Sequence, residues 1–210
     1  MLPPTIPLFP LPNVVLFPNV FLPLHIFEPR YRAMVGDALR DDRIIGMTLL
    51  QPGYETNYEG RPPVYQVGCA GLITHSELLA DGRYNIVLRG MEKFRIAGED
   101  DSRPYRLARI DALPELADDA EKRVMRQQRQ RLEAILAATI ERSGHEPRVP
   151  AAVPDDDLVN ALAQYLPLEP LERQALLECT GLAARCHALI ELLEMRTLVG
   201  GTTWKDRSVH

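Results

Sequence analysis

Two rhythms of apolar residues divide the chain, and they meet near Pro114. Before that point the runs are short and interrupted. Between residues 6 and 39, clusters of Leu, Val, Phe and Ile are separated by Pro7, Pro10, Pro12, Pro18 and Pro23. Proline has no amide to give to a ladder, so it favours strand starts, edges and bulges, while the residues between still demand burial. That combination predicts short, bent strands closing into a small barrel. Pro29, directly after Glu28, suits the first turn of a helix over 29–40, where an amide has no partner anyway. An apolar run over 43–50 predicts a buried strand, and 51–63, with Pro, Gly, Asn and two tyrosines, predicts a loop. Strand composition returns over 64–79, broken by Gly68 and Gly71, the mark of a bulge or barrel corner. Asp81-Gly82 is a hairpin turn signal. Tyr84, Ile86 and Leu88 then alternate with Asn85, Val87 and Arg89 at the period of two of a strand. Phe94 with Ile96, and Leu107 with Ile110, predict two more strands.

After Pro114 the rhythm becomes helical. Residues 117–142 are Ala, Glu, Arg, Gln and Leu without Gly or Pro, a long helix, and 143–154 read as a linker. A short helix is expected over 155–165, with acids at its positive end. Another is expected over 169–180, with Pro170 in its first turn and Gly181 as its stop. The last spans 182–199, where Leu182, Cys186, Leu189 and Leu193 make one apolar stripe. The expected fold is therefore α+β: a β-barrel domain over 1–115, an α-helical bundle over 116–199, and a flexible tail over 200–210.

Composition narrows the function more than the fold. A hydrophobic content of 46% supports a sizeable core. A net charge of −5 gives no general attraction to nucleic acid or to an anionic membrane. The cysteines, Cys69, Cys179 and Cys186, are odd in number and sit inside apolar patterns, as expected in a reducing compartment. There is no basic, unbroken apolar leader and no stretch of membrane-spanning length, so a cytoplasmic protein without a membrane partner is expected.

Candidate chemistry is sparse. The histidines, His25, His75, His145, His187 and His210, are scattered, so no nucleophile stands beside an oriented base and no catalytic residue is assigned. No CxxC or HxxxH pair exists, and adjacent Cys186 and His187 point about 100° apart on a helix, so no metal and no cofactor are expected. His25 reads either as a histidine bonded to backbone or as a ligand at the barrel mouth. The cluster Glu28, Arg30, Tyr31 and Arg32 reads as a recognition patch or as helix capping and packing. Tyr54 and Tyr58 on the loop suit contact with partners. Lys122, Arg123, Arg126 and Arg129, with Arg131, put positive charge on one helix, either a solvated face or a site for RNA phosphates.

An ordered set of segments resembles a known family. PLFPLPNVVLFPNVFLPLHIFEPRYRAM, from Pro7 to Met34, is similar to the opening of the substrate-binding domain of Lon proteases, and its IFEPRYR portion is nearer to versions that stand outside the protease. Tyr65 to Gly68 with Ala70 to Ile73, the hairpin Asp81 to Gly90 with Phe94 to Ile96, and Leu166-Pro167 followed by Glu172 to Glu178 continue the likeness. The resemblance implies a PUA-like barrel followed by a helical bundle, and a role in recognising protein substrates. The engines of a full Lon protease are not implied: GxxxxGK[ST] is absent, and none of Ser76, Ser102, Ser143 and Ser208 lies in a serine–lysine peptidase motif. The expectation is a non-catalytic module that binds unfolded or misfolded proteins, as an adaptor or quality-control factor linked to a protease. Its contact residues are expected among Phe17, Phe21, His25, Phe27, Glu28, Arg30, Tyr31, Tyr54 and Tyr58, or in a groove between barrel and bundle. An RNA-binding module and a small-ligand binder with a pocket near His25 and Glu28 are the alternatives.

Overall fold

The prolines near the N-terminus do what their chemistry dictates. The computed structural model describes residues 2–57, 60–115, 118–143 and 153–199. Pro7 and Pro10 lie in strand β1 (Thr5–Leu11), Pro23 in β2 (Phe21–Ile26), and Pro12 and Pro18 in the loop between them. Helix α1 (Pro29–Ala38) follows, then β3 (Ile44–Leu49), a single 3₁₀ turn (Tyr54–Asn57), β4 (Val67–Leu78), β5 (Tyr84–Asp100) and β6 (Arg106–Leu113). Four helices follow among the described residues: α2 (Asp119–Ser143), α3 (Asp155–Tyr165), α4 (Pro170–Glu178) and α5 (Leu182–Val199). The architecture is α+β, with a barrel followed by a helical bundle.

The strand order is β2-β5-β4-β3-β1-β6, and β5 also pairs with β6. That second pairing closes five strands into a barrel and leaves β2 as an appended edge strand on the first half of β5. Among the described strands only β1 and β3 run parallel. Closure puts Ile6, Leu8, Phe94, Ile96, Ala108 and Ile110 in one interior cluster. The interior is narrow. A Cβ on Gly46 would stand 2.8 Å from the Phe94 ring, and one on Gly68 would stand 2.4 Å from the Met47 carbonyl oxygen. Glycine at these two positions makes room for Phe94.

Two sequence expectations change here. Phe94 and Ile96 do not start a new strand: β5 runs through them for 17 residues, with a register shift between Ile96 and Gly98. Gly90 lets the strand continue where the chain from Phe17 to Val20 crosses it. The Gly90 amide donates to the Val20 carbonyl (2.8 Å), and Asn19 donates to the Gly90 carbonyl (2.9 Å). The second change concerns Glu28, whose backbone occupies the N-cap of α1 but whose side chain makes no capping bond. It accepts instead from Arg30 Nε at 3.0 Å. The bulge expected near Gly71 is present, as register shifts at Cys69/Gly71 and Ile73/His75.

The second core runs from the outside of the barrel into the helices. Phe9, Leu16, Phe17, Tyr31, Met47 and Leu88 join Leu132, Val159, Leu176, Leu189 and Ile190 in one cluster. The stripe read from the sequence of α5 is part of it, with Cys186, Leu189 and Leu193 buried and Leu182 packed at its margin. Asp118 caps α2, accepting from the Glu121 amide at 2.7 Å, and Glu169 and Glu172 form a capping box on α4.

Candidate functional site

Strand β2 presents two faces of opposite character. Leu22, Leu24 and Ile26 turn inward and pack against or within the second core. The alternate residues Phe21, Pro23, His25 and Phe27 turn outward and are exposed. Phe21 keeps 51% of its surface in water and Phe27 61%, uncommon for phenylalanine. The pairing register extends this face across the sheet: Phe21 stands opposite Arg89, Pro23 opposite Val87, and His25 opposite Asn85. On the next strand, His75 and Glu77 stand opposite Val87 and Asn85. Tyr165, at the end of α3 and 66% exposed, donates its hydroxyl to the Phe21 carbonyl at 2.9 Å. The bundle thus reaches the free edge of β2. Pro23 leaves the middle of that edge without an amide donor, which blunts it against pairing with another strand.

A line of polar contacts crosses this face. His25 Nδ1 lies 2.8 Å from Asn85 Oδ1, and His25 Nε2 lies 3.1 Å from Arg83 Nη1. Asn85 Nδ2 donates to Glu77 Oε2 at 2.9 Å, and Arg83 Nε donates to Asp81 Oδ2 at 2.7 Å. The Phe27 ring stacks near the imidazole, with centroids 6.4 Å apart. Neither Arg83 nor Asn85 stood out in the sequence. Their places follow from the Asp81-Gly82 turn, which folds β5 back beside β4.

Between barrel and bundle, where a groove was expected, a buried polar cluster fills the junction. Arg185 on α5 is fully buried; it pairs with Glu115 Oε1 at 2.5 Å and donates to Asn160 Oδ1 at 2.7 Å and the Leu176 carbonyl at 3.0 Å. Lys93 on β5 pairs with the same carboxylate at 2.6 Å and donates to the Leu177 and Cys179 carbonyls. Burial by itself would raise the Glu115 carboxyl, but Arg185 and Lys93 outweigh it and hold the group below the ordinary carboxylate range. Gln164 accepts from the Phe17 amide (3.2 Å) and Gln174 donates to the Val67 carbonyl (3.0 Å), so α3 and α4 each take a barrel backbone group. The sequence held one signal for this cluster. Arg185 lies three residues after Leu182 and four before Leu189, a charge set into an apolar stripe.

The remaining candidates disperse. Phe17 and Tyr31 are buried in the core, Tyr31 against Phe9 at 4.5 Å, so neither offers a contact surface. Arg30 lies over the Tyr31 ring at 4.6 Å and pairs with Glu28. Tyr54 packs against the barrel-interior cluster, and Tyr58 lies outside the described residues, as do most of the expected linker and the whole tail. On α2, Arg129 is spent on Glu133 (2.8 Å) and Asp155 (2.7 Å), Lys122 pairs with Asp119, and Arg131 pairs with Glu194. Arg123 and Arg126 are exposed. The helix therefore carries mixed charge where the sequence suggested a basic stripe. A cavity of about 230 Å³, lined among others by Arg30, Tyr31, Arg61, Tyr105 and Arg106, does not include His25 or Glu28. Its arginines are matched by acids: Arg61 pairs with Asp101, and Arg106 pairs with Glu99 at 2.7 Å. Burial pushes the Cys69 and Cys186 thiols up to about 12, which makes them inert core residues. Among the described residues no three His, Cys, Asp or Glu side chains are placed to hold a metal ion, and no helix is long and apolar enough to cross a membrane.

Comparison with known proteins gives this arrangement a lineage. Lon protease 2 of Myxococcus xanthus is 28% identical over 93% of this chain, which covers 24% of that protein. The chain thus spans about a quarter of the length of the curated relatives it matches. Among solved structures, the N-terminal domain of the Mycobacterium avium complex Lon protease superposes with a TM-score of 0.64 at 18% identity, covering 90% of this chain and 98% of that one. A Lon N-terminal domain protein from Xanthomonas campestris gives 0.58 at 22% identity, covering 89% and 97%. The model of the ATP-dependent protease La (LON) substrate-binding domain matches residues 5–195, and the chain belongs to that family.

Proposed function

We propose that the chain is a non-catalytic recognition module that binds exposed apolar segments of unfolded or misfolded proteins, as an adaptor or quality-control factor linked to proteolysis. The observation that carries this reading is the outward face of β2, where Phe21 and Phe27 stand in water around Pro23 and His25, with Tyr165 beside them. Burying the exposed half or so of each ring in a complex would contribute roughly 1 kcal/mol or somewhat more per ring. A blunted strand edge leaves side chains, rather than backbone, to select the client. Membership in a substrate-binding domain family supports a protein as the ligand. Binding is reversible and breaks no bond in this reading.

The test is binding of the purified chain to a reduced, carboxymethylated protein that cannot refold. Saturable binding is expected, insensitive to salt between low and high ionic strength. Phe21→Ser with Phe27→Ser should weaken it roughly tenfold or more, because two anchors are lost. Since both rings are already exposed, the melting temperature should stay within a few degrees of the parent's. Absence of binding to any denatured protein, or equal binding by the double variant, would overturn the reading. Binding to RNA that collapses with salt would favour Arg123 and Arg126 instead.

A further inference from the structure

The polar line across the β2 face has one allowed pattern of protons. Arg83 is a guanidinium and can only donate, so His25 Nε2, at 3.1 Å, must accept. At the other end the Glu77 carboxylate accepts, so Asn85 turns its amide nitrogen to Glu77 and its oxygen to His25. The hydrogen of the imidazole therefore sits on Nδ1 and is donated to Asn85 Oδ1. Two fixed ends, a donor and an acceptor, select the same neutral tautomer. A second proton would have to go on Nε2, where it would face a donor and a like charge.

We propose that the recognition face is proton-gated at His25: neutral, it takes apolar client segments, and protonated, it releases them. The inference rests on the recognition reading given above. Protonation breaks the contact with Arg83, which retains its bond to Asp81, and places a positive charge between Phe21 and Phe27. An aliphatic client side chain covering that charge must strip its water, which opposes binding. The charged and titratable groups around the imidazole are Arg83 and Asp81 in the β4–β5 turn, Glu77 on β4, reached through Asn85, and Arg32 of α1, whose guanidinium lies against Gly82 of that turn. His75 lies one pair further along β4, opposite Val87. Glu28 and Arg30, at the start of α1, bind each other. The Asp81 carboxylate is held by Arg83 through both its backbone and its side chain.

The probe is a blocked peptide of Leu, Ile, Gly and Ser with no titratable group and no aromatic ring, so that any pH dependence belongs to the protein. Its dissociation constant should rise roughly tenfold between about pH 7.5 and pH 5.5. With His25→Gln, which keeps a polar side chain of similar reach, the profile should be flat across the same pH range. Equal affinity at both pH values, or the same pH dependence in the variant, would overturn the gate while leaving recognition standing. Failure of the peptide to bind at any pH would overturn both. Independently of any ligand, ¹⁵N correlation spectra of the His25 ring at the higher pH should show the Nδ1–H tautomer. The Nε2–H form would contradict the proton pattern on which the gate depends.

Discussion

Glu115 is the residue on which the buried charges turn. It is the carboxylate that faces both Lys93 and Arg185, and Arg185 has no access to water. A pair of buried cations tolerates its position only with that partner in place. Glu115→Gln keeps the shape and removes the charge. It should destabilise the fold by about 3 kcal/mol or more at pH 7, read as a lower urea midpoint with unchanged slope. The pH dependence follows from the direction of the shift. A carboxyl held below its unfolded value stabilises the fold fully above the unfolded value, 4.5 here, and loses that contribution as the pH falls through the folded value. The parent should therefore lose stability below about pH 4.5 more steeply than Glu115→Gln does. Equal stability of the two at pH 7 would mean that solvent, not Glu115, compensates the cations. A similar logic ties Tyr105 to Asp37. Burial first, then its bond to Asp37, raises the phenol to about 12, and that same bond holds the Asp37 carboxyl below its ordinary range.

At the scale of the element, β5 decides the architecture. Its first half pairs with β2 and β4, and its second half pairs with β4 and β6. One strand thus serves both the barrel wall and the appended edge, and Gly90 sits at the change. A Cβ there would lie 1.9 Å from the Phe17 carbonyl oxygen, a backbone atom that cannot rotate away. Gly90→Ala should cost about 3 kcal/mol and lower the melting temperature by several degrees, since the crossing chain that carries Phe17 must move. A melting temperature equal to the parent's would show that the crossing is loose. This is also where the sequence stopped being legible. The bounds of α3 and α5 could be read because Pro154 and Gly181, the latter at a φ of 94°, punctuate them. In β5 the two sides of Gly90 read as separate strands, because the reason for that glycine is its contact with Phe17, some seventy residues away. The phase of β2 was equally hidden. FLPLHIF is apolar at nearly every position, so alternation alone cannot say which side meets water, and only His25 and Pro23 hint at the outward set. Phe17 and Phe21, four residues apart in one apolar stretch, therefore looked equivalent, whereas one is core and the other surface.

For the whole molecule, the question is whether barrel and bundle stand or fall together. Their contact is not an open groove but a continuation of one core, since Phe17 and Leu88 from the strands share a cluster with Val159, Leu176 and Leu189 from the helices. The polar ties act in the same direction. Parting the halves would take the Phe17 amide and the Val67 carbonyl from their helix partners Gln164 and Gln174, and the Leu177 and Cys179 carbonyls from Lys93. Each such bond contributes about 0.5–1.5 kcal/mol net, and melting the bundle alone would also bare the shared apolar core to water, so that state is penalised several times over. The chain should therefore unfold in one transition. Helical circular dichroism follows the bundle, while the near-ultraviolet signal of Tyr31, Tyr65, Tyr84 and Tyr105 follows the barrel. Their urea midpoints should coincide, and Glu115→Gln should move both together. Two separated midpoints would mean that the halves are independently stable. In that case the bond from Tyr165 to the edge of β2 could open while the barrel persists, and the client-binding face would have a second, unbridged form. Coincident midpoints would instead make the bundle a standing part of that face, because no native-like barrel would then be populated without Tyr165 against Phe21.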